Sequence, residues 1–322
     1  MKRVLAGFVA VAALVGGASS YAQSWPSRPV RIVVSFPAGT TPDTVARVVA
    51  PRLQEALGQP VVVENRAGAG GNLAADAVAK SAPDGYTLLV STNAAVATNK
   101  VLYDNLPYDP ERDLATVSLL ATAPQALVVV PAVPAKSFKD FLEHARRNPG
   151  RMSYGTSGSG SAGHLTMELL KADAKIFVVH IPYRGVPQAV TDMLAGNIHT
   201  QFAIIPGVLP HIKAGKMNAL AVTGLKRSDL LPDVPSVKEL GFPQLESLAW
   251  IGLLAPAKTS PEIVERLSQE ARKGLALPES RRILTNAGFD VAGTSPAEFR
   301  NWQQAEIAKW GKVIRATGAK PD

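Results

Sequence analysis

The densest concentration of reactive side-chain types lies in the segment SGSGSAGH, where Ser157, Ser159 and Ser161 stand close to His164. A hydroxyl nucleophile needs a base and an orienting third group in contact with it. Gly158, Ser159 and Gly160 match the G-x-S-x-G nucleophile elbow only in part, which argues against a serine hydrolase. The histidines at 144, 164, 180, 199 and 211 form no short ligand-spaced pair, and the chain has no cysteine. A metal centre is therefore not expected. AGAGGN resembles a dinucleotide loop superficially, but Gly68 and Gly70 are followed at the required third place by Leu73. No cofactor is expected.

What the chain does offer is three loops of small and hydroxyl residues, each at the carboxyl end of an expected strand and before a helix. They are Ala38 to Asp43, Thr92 with Asn93, and Thr156 to Gly163. Open α/β sheets place ligands at such ends. Free N–H groups at helix starts bind carboxylates without a basic side chain, glycine lets the backbone come close, and Ser or Thr adds hydroxyl bonds. The plainer alternative, ordinary caps and tight turns, stands beside this reading. The presence of similar loops in both halves of the chain favours a binding role.

The elements that must position these loops follow from hydrophobic periodicity. Val30 to Phe36 is a β-branched run suited to a buried strand. Thr41 is a plausible N-cap with Pro42 at the first helical position, and Val45, Val49 and Leu53 form a helical stripe ending near Gly58. PVVVEN, NLAADAVAKS and YTLLVS continue as strand, helix and strand. Two apolar runs, ATVSLLA and ALVVVP, flank TAP at 122–124, the expected first crossing between domains. A helix from Ser137 carries a capping box with Asp140. From Arg151 to Gly224 the alternating plan repeats, and SLAWIGLLAPA is a strand that crosses back. Three closing helices start near Pro261, Pro278 and Pro296; Phe299, Trp302, Trp310 and Val313 share a face of the last and read as packing. Apolar strands alternating with helices argue for mostly parallel sheets covered on both faces.

Met1, Lys2 and Arg3, an uncharged run from Val4 to Gly17, and a small-x-small site ending at Ala22 read as a cleavable export leader over 1–22. The absence of cysteine argues against a disulfide-stapled fold and a lipid anchor. The net charge of +8 includes Lys2 and Arg3, and the remaining Lys and Arg are scattered, so nucleic acid is not an expected partner. With 46% apolar residues, the chain that follows the leader can bury the core of one large domain or of two medium ones, here called lobes. Lobe 1 is expected over 23–123 plus 250–322, and lobe 2 over 124–249.

Eight segments, in order, carry a resemblance to a known family. They are WPSRPVRIVVSFPAGTTPDTVAR, LGQPVVVENRAGAGG, APDGYTLLVST, LPYDPERDL, GTSGSGSAGHLTMELL, HIPYRG, KRSDLLPDVPSVKELGFP and WIGLLAPAKTSPEIVERL. Together they resemble the tripartite tricarboxylate transporter substrate-binding family, also called the Bordetella uptake gene product family, a branch of the periplasmic binding proteins. The resemblance implies a type II-like two-lobed α/β fold, each lobe a mostly parallel sheet flanked by helices. It implies a soluble periplasmic monomer with no enzyme activity. It implies a small organic acid held in the cleft, including di- or tricarboxylates and aromatic acids, and delivery to integral membrane transporter subunits.

Carried over by position, the first-lobe contacts are Phe36, Ala38, Gly39, Thr40 and Asp43, with Thr92 nearby. Those of the second lobe are Ser157, Gly158, Ser159, His164 and the turn from Tyr183 to Gly185. Asp43 either caps its helix or receives a ligand group. Thr40 stands where the family commonly has a second glycine, and His199 and Gln201 stand where an acid is often found. Loss of that acid shifts the expectation from amino acids toward a plain carboxylate, with Gln201 in the site. A sensor that presents its bound acid to a two-component histidine kinase is the alternative, and both roles would use the same closed, liganded form.

Overall fold

The computed structural model describes residues 25–321, so the expected leader at 1–22 lies outside the described residues. The first strand, β1 (Val30–Val34), buries every residue but Arg31. Helix α1 (Thr41–Leu57) lays Val45, Val49 and Leu53 against the sheet, each nearly or fully buried. Each contributes about 1.5–3 kcal/mol by leaving water. Its N-cap is Thr40, one residue earlier than expected, which moves Pro42 to the second helical position. The Thr40 hydroxyl donates to the Pro37 carbonyl at 2.6 Å and so does not bond an N–H of the helix. Pro51 lies inside the helix and faces solvent.

The chain continues through β2 (Val61–Asn65), α2 (Asn72–Ala79) and β3 (Thr87–Thr92). A π-helical turn at Ala94–Thr98 leads into α3 (Asn99–Leu102). Then comes β4 (Leu114–Val129), a strand of 16 residues. The two apolar runs flanking TAP are therefore one strand, not two. Pro124 is tolerated because the ladder changes partner there: residues 114–124 pair with a later strand, and 125–129 with two others.

The second lobe holds α4 (Phe138–Arg147), β5 (Ser153–Thr156), α5 (Ala162–Ala174), β6 (Val179–Pro182), α6 (Val186–Leu194), β7 (Thr200–Ile204), α7 (Ile205–Lys213) and β8 (Asn218–Val222). The chain returns through β9 (Leu248–Pro256) to α8 (Pro261–Ala276), α9 (Pro278–Asn286), β10 (Asp290–Val291) and α10 (Pro296–Thr317). At α4 half of the expected capping box forms: Asp140 N–H donates to Ser137 Oγ at 3.1 Å, but its carboxylate takes the N–H of Lys136, one residue before the cap, instead of that of Ser137.

The strand order is β2-β1-β3-β9-β4-β7-β5-β6, with β8 and β10 on β4. The outer strands run parallel, β2-β1-β3 at one end and β7-β5-β6 at the other. The shared strands β4 and β9 make antiparallel ladders with their neighbours. Each lobe is thus parallel on its flank and antiparallel where the lobes join. One core fills the second lobe around Phe141, Tyr154 and Leu127. The first lobe has a core on each sheet face, one beneath α1 and α8, the other around Trp250 and Phe299. A fourth cluster spans both lobes: Leu102 of α3 and Leu165 of α5 pack with Trp310 and Ile314 of α10. The tryptophan at 310 is a packing residue, as its helical spacing suggested.

Candidate functional site

The loops singled out in the sequence converge in the cleft between the lobes. Its inner end is a small chamber of about 40 Å³, lined by Thr92, Asn93, Gln125, Thr156, Ser157, Ser161, Gly163 and Gln201, with Phe202, Ile204 and Ala249. No Lys, Arg, Asp or Glu lines it. Its positive character comes from backbone instead. Of the N–H groups at the start of α5, that of Ser161 bonds Gly158 O and that of His164 bonds Ser161 Oγ. Those of Ala162 and Gly163, both at the chamber wall, have no partner among the described residues. Gly163 has to be glycine, because a Cβ there would meet the Phe202 carbonyl at 2.5 Å.

Gln201 supplies the remaining donor. It sits on β7 with 1% of its surface exposed, and its Nε2 is buried with no partner among the described residues. An unpaired buried amide costs roughly 1–3 kcal/mol, so it persists where something else satisfies it.

A larger compartment of about 310 Å³ opens from this chamber, sharing Thr92, Ser157, Val186 and Ile204 with it. Phe36, Gly39, Thr40, Thr41 and Pro42 of the first lobe face Gly185, Val190, Leu194, Gly207 and His211 of the second. The starts of α1, α5 and α6 all border the cleft, so three positive helix ends face it. A seam of about 230 Å³ lies on the other side of Ser157, between Gly68–Gly71 and Ser157–Ser159, with Phe36, Tyr183 and Arg184. The Tyr183 hydroxyl donates to Asp192 at 2.7 Å; burial, then this carboxylate, push its pKa up to about 12.

Three candidates line none of these cavities. Ala38 lies in the loop before Gly39 without reaching the cleft wall. The Asp43 carboxylate is taken by the protein: Gly39 N–H, Arg47 Nε and Asn65 Nδ2 all donate to it at 2.9–3.0 Å. Burial pushes its pKa up, but these bonds outweigh it and hold the carboxyl below its ordinary value. His164 is 3% exposed and stacks on His180 at 4.3 Å, and His180 stacks on Tyr154 at 4.8 Å. His164 Nδ1 accepts from Gly160 N–H, and Thr156 Oγ1 meets His180 Nε2 at 2.7 Å. This stack holds the Thr156–Ser161 loop from beneath. Glu168 closes the base of the stack, taking Tyr154 OH and Lys171 Nζ; burial raises its pKa, and these bonds more than reverse that.

First-lobe groups hold the same loop from its other side. Thr98 Oγ1 donates to Gly160 O at 2.7 Å, and Asn93 Nδ2 reaches the same carbonyl at 3.4 Å. Gly160 has a φ of +76°, and a Cβ there would collide with Asn99 Oδ1. Several wall residues were not singled out as site residues in the sequence: Gln125, Val186, Val190, Leu194, Ile204 and His211. Val186, Val190 and Leu194 follow a helical stripe that reads as core packing, and only the cleft's shape separates the two cases.

Among the described residues no group of three or more His, Asp or Glu side chains is arranged to hold a metal ion. No helix among them is long and apolar enough to cross a membrane. Residues 45–319 match the family described as "Tripartite tricarboxylate transporter family receptor". The chain belongs to this family. Protein BugT of Bordetella pertussis is 37% identical over 324 residues, covering 99% of each chain. An R. palustris protein solved with adipate is 36% identical, with a TM-score of 0.87 over 92% of this chain and 100% of that one. MatC from Rhodopseudomonas palustris with bound malate is 31% identical, with a TM-score of 0.84 over 90% of this chain and 99% of that one. This receptor is thus a periplasmic solute-binding protein with the two-lobed fold of its relatives.

Proposed function

We propose that this receptor captures a small organic carboxylate, a di- or tricarboxylate or an aromatic acid, and delivers it to the integral membrane subunits of a tripartite tricarboxylate-type transporter. One carboxylate sits in the inner chamber. The unpaired Gln201 Nε2 carries this reading, because a buried donor beside a helix start calls for an anionic acceptor. The N–H groups of Ala162 and Gly163, with the hydroxyls of Thr92 and Ser157, complete the set of donors. Gly39, Thr40 and Gly185 close over the ligand, while Phe36, Gly158, Ser159 and Tyr183 border it through the neighbouring seam. Asp43 and His164 set the loops and do not touch the ligand. The adipate and malate of the two relatives fit this class.

The test is a melting-temperature screen of protein unfolded and refolded to remove co-purified ligand, against di-, tri- and aromatic acids. A ligand at 100 times its Kd stabilises by about 2.7 kcal/mol, a readily measured shift. No shift with any acid would overturn the proposal.

A further inference from the structure

Resting on the carboxylate reading, we propose that His211 sets specificity by receiving the far carboxylate of a linear dicarboxylate whose apolar spacer fills the larger compartment. The compartment is a groove between two helix faces. Val186, Val190 and Leu194 recur every four residues along α6, and Ile204, the N-cap of α7, is followed at three and four by Gly207 and His211 on that helix. Ile204 borders the inner chamber as well, and His211 stands two turns further out. The seven-residue step from this N-cap to His211 runs along α7 and spans about 10 Å, enough for a carbon chain lying along the groove.

The chemistry of the wall matches a bare spacer. The Thr40 and Thr191 hydroxyls donate to Pro37 O at 2.6 Å and Pro187 O at 3.0 Å, so these side chains have spent their donors on the backbone. Phe36, Pro42, Val186, Val190 and Ile204 present carbon. A branching carboxylate midway along the ligand would find few donors on this surface: apart from Thr92 and Ser157 at the chamber and His211, the Thr41 hydroxyl is the one side-chain donor there that no bond occupies among the described residues. His211 is half-buried, is the only titratable residue lining the groove, and has no bond to its ring among the described residues. An imidazole donates from a ring nitrogen even when neutral, and a carboxylate at that distance is its natural acceptor.

Isothermal titration of the refolded mature protein with adipate, hexanoate and citrate tests this. Adipate should bind at least tenfold tighter than hexanoate, which keeps the spacer and lacks the second carboxylate, and tighter than citrate. His211→Leu should cut the adipate-to-hexanoate ratio about tenfold, and His211→Gln, which keeps a donor, should restore part of it. Equal binding of adipate and hexanoate by the wild-type protein, or a ratio unchanged in His211→Leu, overturns the proposal. Should His211→Leu fail to fold, the wild-type comparison alone decides. Failure of every acid to bind would instead remove the carboxylate reading itself, and this proposal with it.

Discussion

Replacing Gln201 with Met should raise the stability of the ligand-free receptor while lowering its affinity for acid. Met is close in length and shape to Gln and lacks the amide. In the free protein Gln201 Nε2 is buried without a partner, at a cost of roughly 1–3 kcal/mol. Removing that cost raises the melting temperature by about 2 °C or more. In the bound protein the same nitrogen donates to a carboxylate, and a hydrogen bond to a charged group is worth about 1.5–3 kcal/mol. At about 1.4 kcal/mol per decade, affinity falls roughly 10- to 150-fold. Scanning calorimetry of ligand-free protein and titration with the acid that stabilises wild type best give the two numbers. A glutamine that merely packs would lose stability on substitution and leave affinity alone. That pair of results would refute the assignment of Gln201 as the waiting donor.

Asp43 gives a pH signature. Its folded pKa lies below the ordinary value, so its contribution is complete above about pH 4 and is lost as pH falls through the folded value. Urea unfolding at pH 6, 4 and 3 should show wild type losing stability at the acid end, and Asp43→Asn, weaker by about 1–3 kcal/mol at pH 6, losing less there. Glu306 has the opposite sign. It accepts both Trp250 Nε1 at 2.9 Å and Trp310 Nε1 at 3.0 Å, and burial raises its pKa above the ordinary value despite these bonds. Its contribution is complete below about pH 4.3 and is lost as pH rises through the folded value. Glu306→Gln, which keeps an acceptor for both indoles, should melt at or above wild type at pH 7, whereas Glu306→Leu should lose about 2 kcal/mol or more by orphaning two donors.

The fold was legible because its signals are local. The Val45, Val49 and Leu53 stripe and the Pro-led starts of α8, α9 and α10 each declare an element within a few residues. The continuity of β4 was not, because Pro124 inside an apolar run reads as a break until its change of ladder partner is known. In the site, the loop residues Gly39, Thr40, Thr92 and Ser157 stood out by composition, Gly185 only through the family resemblance, and all five reach the cleft. Asp43 and His164 stood out equally by type; Gly39 and Arg47, four residues to either side, hold Asp43 and Gly160 bonds His164, but the Asn65 bond and the His180 ring stack come from far along the chain. Periodicity holds no trace of such partners. Nor does it reveal Glu306, whose two indoles come from different elements.

The two strands shared between the lobes also fix the order in which the chain assembles in time. Leu89 of β3 pairs with Leu254, and Leu114 pairs with Pro256. Strands β1 to β3 precede the second lobe in the chain, yet their sheet stays open at β3 until β9 arrives from beyond it. The second lobe has its strands within one uninterrupted stretch and can close earlier. Pairings so far apart in sequence carry a large loop-closure entropy and fold slowly. Synthesis therefore delivers β1 to β3 well before the β9 that completes their sheet.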